Sequence, residues 1–158
     1  MTDSTHKTKQ ALAIVKTHML IAMGAGLIPI PLVDLAALTG IQLNMLHRLA
    51  NHYDVEFSKQ LGKSAIASLL GGGIPLSLTS KIGGIVMGVP ILSWITGTFG
   101  TALFGGASTY AIGKVFIQHF ESGNTFLTFD PEQVRAYYSQ QLDEGKEKAR
   151  KSFAGIKP

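Results

Sequence analysis

Five histidines are the residues of this sequence best suited to metal binding or acid–base chemistry, and their spacing argues against both roles. They are His6, His18, His47, His52 and His119. A zinc pair on a helix needs a separation of four residues so that both rings face the same way, whereas His47 and His52 are five apart. The absence of cysteine excludes disulfides, thiolate ligands and a cysteine nucleophile. We predict packing or surface roles for these histidines and no metal site.

Two further features of the sequence suggest chemistry. Gly71–Gly73 could cradle a phosphate, but the sequence contains neither G-x-x-x-x-G-K-[ST] nor G-x-G-x-x-G, and a Gly-x-Ser-x-Gly nucleophile motif is also missing. Asp34 could be a buried acid paired with His52 or Arg48 of a neighbouring chain. A more ordinary role is in the first turn of a helix, where a carboxylate meets the positive end of the dipole. We predict a protein that is not an enzyme and binds no cofactor.

Charged residues are scarce and unevenly distributed. They make up 15% of the 158 residues, against roughly 25% in soluble domains. Three hydrophobic blocks contain no Lys, Arg, Asp or Glu: residues 17–33, 64–80 and 82–113. The net charge of +4 is small, and no Lys/Arg cluster alternates with aromatics, so nucleic-acid binding has no support. A weak preference for anionic lipid headgroups suits this charge better. The length allows a single domain.

The longest uncharged block carries small residues at every fourth position. These are Ser93, Gly97, Thr101, Gly105, Thr109 and Gly113. In lipid, such a stripe lets two helix backbones approach closely, so we predict helix packing and self-association through it. As one helix the block would be about 48 Å long, beyond a hydrocarbon core of roughly 30 Å. Pro90 and the paired glycines predict a break, which leaves either a span over Ile91–Gly113 or two shorter helices forming a hairpin.

A proline corner lies within the first block, near its end. Pro29 and Pro31 force extended backbone in the residues before them, so a helix over residues 10–27 must stop and a second one start at about Leu32. The first arm is short, and a hairpin dipping into one leaflet or a full crossing both fit. On the second helix, Gln42 lies within the apolar stripe. It predicts either a core hydrogen bond to a neighbouring helix or a ligand contact.

The remaining signals concern helix ends and the termini. Ser58 predicts the cap of a helix over Lys59–Leu70, and Asp130 with Pro131 predicts the start of an amphipathic helix reaching about Lys151. Residues 1–9 and 152–158 are predicted to be flexible. No cleaved signal peptide is expected, which favours insertion from the cytoplasmic side. The predicted fold is all-α: one domain over residues 10–151, built from membrane-embedded helical hairpins broken by Gly and Pro, with a C-terminal amphipathic helix.

Several motifs resemble a known family. They are the segments Gly26–Asp34, Leu38–Leu46, Phe120–Gly123 and Phe129–Val134. The likeness covers roughly residues 10–145 and is to the uncharacterised domain family of YcjF-like inner-membrane proteins, which is also found C-terminal to some small GTPase domains. This chain has no GTPase module. The resemblance implies location at a bacterial inner membrane or its cytoplasmic face and a small GTPase as partner, and it transfers no catalytic residues.

Three functions are compatible with these observations. The first is a membrane-associated helical protein that forms homo-oligomers in the lipid bilayer, scaffolds or shapes the membrane, or serves a GTPase as an accessory. The alternative is a soluble or peripheral binding module for a small GTPase or another protein. The third is a pore, whose lumen would need hydroxyl side chains. Those available are Thr96, Thr98, Thr101, Ser108 and Thr109.

Overall fold

The computed structural model describes residues 2–27, 31–71 and 98–156, and within these ranges the chain is helical, without strands. Five α-helices occur there: α1 (Thr2–Ala25), α2 (Pro31–His52), α3 (Lys59–Leu70), α4 (Thr98–Glu121) and α5 (Pro131–Ile156). A 3₁₀ turn, Phe126–Thr128, precedes α5. The predicted all-α class is confirmed.

Two helix starts follow from local capping. The Ser58 hydroxyl accepts a hydrogen bond from the backbone N–H of Leu61 at 3.2 Å, which satisfies one of the free donors at the beginning of α3. Asp130 does the same for Glu132 at 3.0 Å, and Pro131 occupies the first position of α5. Both starts lie where the sequence predicted them. Helix α5 continues past Lys151 to Ile156, into the predicted flexible tail.

Helix α1 begins much earlier than the sequence suggested. Residues 2–9, for which a flexible segment was predicted, form its first turns. Tertiary contacts hold these turns in place. The carbonyl of Lys7 accepts from a ring nitrogen of His52 at 2.8 Å, and the hydroxyl of Thr8 donates to the carboxylate of Glu121. The polar composition of residues 2–9 predicted flexibility, because it does not show that His52 and Glu121 bind this segment.

Helix α4 forms the centre of the bundle. From Gly105 to Ile117 every residue except Lys114 is buried. Helices α1 and α5 cover most of it, and α2 and α3 close the remaining sides. Both covering helices run antiparallel to α4, because Val15 lies against Gly113 whereas Ala22 lies against Gly105, and Gly145 packs on Ala107 and Tyr110 whereas Ala149 packs near Gly106.

The membrane-embedded helices of the sequence interpretation are not confirmed. Residues 98–113 of the expected span belong to α4, which continues through Lys114 to Glu121, while residues 91–97 lie outside the described ranges. Across the parts of the chain that the structure describes, we find no helix with the length and apolar character needed to cross a bilayer.

Candidate functional site: the buried helix and the apolar end of the bundle

Gln42 of α2 makes a buried polar contact with α4. Its side chain is fully buried, and its Nε2 lies 3.2 Å from the hydroxyl oxygen of Ser108 and 3.1 Å from that of Thr109. The amide thus donates to both hydroxyls. Ser108 in turn donates to the carbonyl of Gly105. The contact lies between helices of one chain, and it leaves Ser108 and Thr109 no exposed face with which to line a pore.

Glycines of α4 allow α1 and α5 to approach it closely. A β-carbon built at Gly105 would lie 3.1 Å from the carbonyl oxygen of Ala22, and one at Gly113 would lie 2.5 Å from Cγ2 of Val15. On the other side Gly145 of α5 contributes the small residue, since a β-carbon there would lie 2.8 Å from the carbonyl oxygen of Ala107. These distances are below normal van der Waals contact, so larger residues would force the helices apart.

The predicted small-residue stripe therefore packs, where the structure describes it, inside the chain. Gly105 and Gly113 face α1, and Thr109 faces Gln42 of α2. Ser93 and Gly97 lie outside the described residues, and the side chain of Thr101 does as well. Self-association through the stripe is not tested by this geometry and stays a prediction.

Of the two prolines of the proline corner, only Pro31 lies among the described residues. Pro31 is the first residue of α2, a position where proline loses no hydrogen bond and its fixed φ suits the helix. Pro29 lies outside the described residues. Asp34 belongs to the first turns of α2, and its side chain is not among those described.

The end of the bundle away from the proline corner is polar, and hydrogen bonds to Glu121 connect its helices. The Glu121 carboxylate accepts hydrogen bonds from the hydroxyls of Thr8 and Tyr53, the second at 2.7 Å, and so links α1, the end of α2 and α4. Burial, followed by the hydrogen bond to Glu121 and its negative charge, raises the pKa of Tyr53 well above the ordinary value. We call this region, residues 2–9 together with Tyr53 and Glu121, the polar end.

The histidines lie in separate environments. The ring of His18 is buried and contacts the carbonyl of Ile14 and the side chain of Asn44, at 2.8 and 2.9 Å. His47 stacks on Phe57 with ring centroids 4.5 Å apart, and His119 contacts the carbonyl of Thr125 at 2.7 Å. Among the described residues, no group of three potential ligands comes together to hold a metal ion.

The other end of the bundle carries almost no charge. It comprises residues 17–27 of α1, 31–47 of α2 and 98–113 of α4, and we call it the apolar end. Asp34 is the single charged residue of these three ranges. The exposed face of α1 continues here with Leu20 and Ile21, each about half exposed at 51% and 50%, and with Leu27 at 45%. Polar and apolar residues of α1, α2 and α4 are thus separated along the helix axes more clearly than between opposite faces of each helix.

An aromatic cluster near the polar end escaped the sequence analysis. Phe116 lies in its centre, 4.8 Å from Phe129, 5.4 Å from Phe126 and 5.5 Å from Phe120 between ring centroids. Offset and edge contacts of this kind stabilise a fold beyond the apolar area they bury. The spacing of Phe116 and Phe120 by four residues on α4 was the signal that could have shown one half of the cluster.

These features define an all-helical bundle wrapped around a buried, glycine-rich helix, α4. Residues 3–147 match the family DUF697, described as a domain of unknown function, and the chain belongs to that family. Membership of an uncharacterised domain family, which the sequence motifs predicted, is confirmed, whereas the likeness to YcjF-like proteins and the link to GTPases stay predictions.

One curated relative has a name that bears on location. The chain is 36% identical over 167 residues to Magnetosome membrane protein 22 of Magnetospirillum gryphiswaldense, in an alignment that covers 98% of this chain and 82% of the relative. That protein is thus named as a membrane protein. No solved structure matches the chain.

Proposed function

We propose that this protein is a non-enzymatic, membrane-associated helical protein, of the kind found among YcjF-like inner-membrane proteins. The observation that carries the proposal is the apolar end, where α1, α2 and α4 together present nearly no charge. The name of the relative, a magnetosome membrane protein, supports the same location.

The exposed side chains of the apolar end give the proposal its energetic basis. Leu20 and Ile21 are each about half exposed, and complete burial of such a side chain is worth about 1.5–3 kcal/mol. Lipid contact would therefore contribute about 1 kcal/mol from each of them. Leu27 adds a third apolar side chain on the same end. Several adjacent contributions of this size favour attachment to a bilayer over an exposed patch in water.

Fractionation of cells lysed without detergent tests this function. The tagged full-length chain is expected to float with membranes on a density gradient. The double variant Leu20→Gln/Ile21→Gln should shift a measurable share into the soluble fraction. Leu127→Gln is the matched control, because Leu127 is 85% exposed but lies in the 3₁₀ turn beside the polar end. Recovery of the wild-type chain in the soluble fraction would contradict the proposal.

Self-association is the second element of the proposed function. Copies that meet in one membrane would scaffold or shape it, and a small GTPase could recruit them. We base the self-association on the stripe Ser93–Gly113 of the sequence, of which Gly105 and Gly113 are covered by α1 of the same chain. The GTPase is what the resemblance of the segments Gly26–Asp34 and Phe129–Val134 to the family of YcjF-like proteins implies. Co-purification of a small GTPase with this chain that differs between the GTP-bound and GDP-bound states of the GTPase would support the accessory role.

The alternative is a peripheral helical module that binds a small GTPase or another protein. The enclosure of α4 by helices of its own chain favours it, since the outer faces of those helices stay available to a partner. Fractionation and GTPase capture of the same double variant distinguish the two functions. If Leu20→Gln/Ile21→Gln leaves fractionation unchanged but abolishes capture of a GTPase, the alternative replaces the first proposal.

A further inference from the structure

We infer that the apolar end binds an anionic lipid surface, with basic residues 146–151 of α5 contacting the negatively charged headgroups. The inference rests on the proposed membrane association and adds to it an orientation and a lipid class. It joins two features of the structure that lie at one level of the bundle: the exposed apolar side chains of α1 and the basic residues 146–151 of α5.

The contacts of Gly106 establish that level. A β-carbon built on this residue of α4 would lie 2.5 Å from Cγ of Met23 on α1 and 3.6 Å from Cβ of Ala149 on α5. Met23 and Ala149 therefore flank the same turn of α4. Leu20 and Ile21 lie within one turn of Met23, and Arg150 follows Ala149 directly. The basic residues of α5 thus lie at the level of the apolar end of the bundle and not at the polar end.

Basic side chains are frequent at this position. Residues 146–151 contain Lys146, Lys148, Arg150 and Lys151 with a single acid, Glu147. The acids Asp143 and Glu144 precede them on α5, and Asp143 pairs with Lys146 at 3.6 Å, so Arg150 and Lys151 are the cations farthest from these acids. Arg150 and Lys151 are exposed on α5. Arg150 contacts Glu147 at 2.7 Å, but both side chains are about two-thirds exposed, and such surface pairs are weak.

An apolar surface bordered by basic residues is complementary to a bilayer with acidic headgroups. Leu20, Ile21 and Leu27 would enter the boundary between headgroups and acyl chains. Each Lys or Arg near an anionic surface contributes about 1 kcal/mol, so removal of two of them should weaken binding about 10- to 30-fold. A neutral bilayer offers only the apolar contribution, and high salt screens only the basic one.

Flotation of the purified full-length chain with vesicles tests the inference. Phosphatidylcholine vesicles are compared with phosphatidylcholine vesicles containing phosphatidylglycerol. Arg150→Gln/Lys151→Gln should bind the anionic vesicles about 10- to 30-fold more weakly and the neutral vesicles as the wild type does. The matched control is Lys9→Gln/Lys59→Gln, which removes two exposed positive charges from the first turns of α1 and α3. It should leave both affinities unchanged, and circular dichroism should show both variants folded.

Each outcome separates the inference from the function on which it rests. Binding that is equal on both vesicle types and insensitive to salt would overturn the anionic-lipid inference and keep the membrane function. The same would follow if the control pair weakened binding as much as Arg150→Gln/Lys151→Gln. A wild-type chain that binds neither vesicle type would overturn the membrane function itself.

Discussion

Gly113 of α4 lies against Val15 of α1 so closely that a β-carbon on residue 113 would come within 2.5 Å of Cγ2 and 2.7 Å of Cγ1 of the valine. Valine is branched at Cβ and holds nearly one rotamer in a helix, so it cannot turn aside. The hydrogen on the α-carbon of Gly113 is therefore what permits α1 and α4 to pack at their observed separation.

The first prediction follows from that contact. Gly113→Ala should lower the free energy of unfolding by about 1–3 kcal/mol, since the added methyl must displace Val15 or separate the helices. Gly106→Ala should cost less. The nearest side-chain atoms there belong to Met23, which is unbranched and can adopt another rotamer. Denaturant unfolding followed by circular dichroism measures both.

Gly40→Ala is the control for intrinsic helix propensity. Nothing lies within 4 Å of a β-carbon at Gly40, which is exposed in the middle of α2. The variant should gain up to about 1 kcal/mol, because alanine favours the helix over glycine. If Gly113→Ala gained stability as Gly40→Ala does, the close approach of α1 and α4 would be disproved.

The second prediction concerns Gln42. Its Nε2 donates two hydrogen bonds, but its Oε1 is buried and has no partner among the described residues. Gln42→Met keeps the volume, loses two neutral hydrogen bonds and removes the unsatisfied oxygen. It should therefore cost less than about 1.5 kcal/mol. Gln42→Ala leaves a cavity and should cost about 2–4 kcal/mol. Equal costs for the two variants would show that hydrogen bonding, not volume, is what Gln42 contributes.

The third prediction is a loss of stability in alkali. Burial is the main cause that raises the pKa of all four tyrosines, and Glu121 and Glu144 add to it at Tyr53 and Tyr110 respectively. A tyrosine pKa that is higher in the folded than in the unfolded chain means that folding stabilises the neutral phenol relative to the phenolate. The resulting stability is complete below the unfolded pKa of 10.0 and is lost progressively as the pH rises above it.

A phenolate absorbance titration checks this prediction. The folded chain should titrate at a higher pH than the same chain in denaturant. Tyr138→Phe, which removes a hydroxyl whose pKa is raised by burial alone, should reduce the dependence of stability on pH above 10.0. A folded chain whose tyrosines all titrate at their ordinary pKa would contradict the burial described.

Local signals in the sequence predicted the helices better than their partners. Ser58, Asp130 and Pro131 located the starts of α3 and α5 because caps act within one turn. The start of α1 was missed, since its first turns depend on Glu121 and His52, which are distant in sequence. Tertiary contacts of this kind have no local pattern from which to predict them.

The candidate site shows the same division. The helical spacing of the sequence placed Gln42 among the apolar residues of α2, and the structure has it buried there. Only the packing identifies Ser108 and Thr109 as its partners. The spacing of Gly105, Thr109 and Gly113 predicted close helix packing and self-association, and Gly105 and Gly113 lie close to α1 of the same chain. It could not say whether the neighbouring helix would come from the same chain, because a small residue permits approach from either source.

The fourth prediction uses the absence of cysteine. Single cysteines can be introduced into the chain without a competing thiol. A polarity-sensitive dye attached to Ile21→Cys should shift to a less polar spectrum when anionic vesicles are added, because Ile21 lies on the apolar end. The same dye on Leu127→Cys should stay in water. Identical shifts at both positions would contradict the orientation of the bundle.

The fifth prediction separates packing within a chain from packing between chains. Gly105→Leu should destabilise the monomer itself, because its β-carbon would lie 3.1 Å from the backbone carbonyl of Ala22, which cannot rotate away. Gly97→Leu alters the outlying part of the same stripe. If copies meet through the stripe, Gly97→Leu should reduce the oligomer size in detergent, measured by light scattering. Circular dichroism should show an unchanged helix content. A folded Gly97→Leu variant of unchanged size would count against self-association through these residues, and would leave the stripe with the role seen at Gly105, the close packing of α1 on α4.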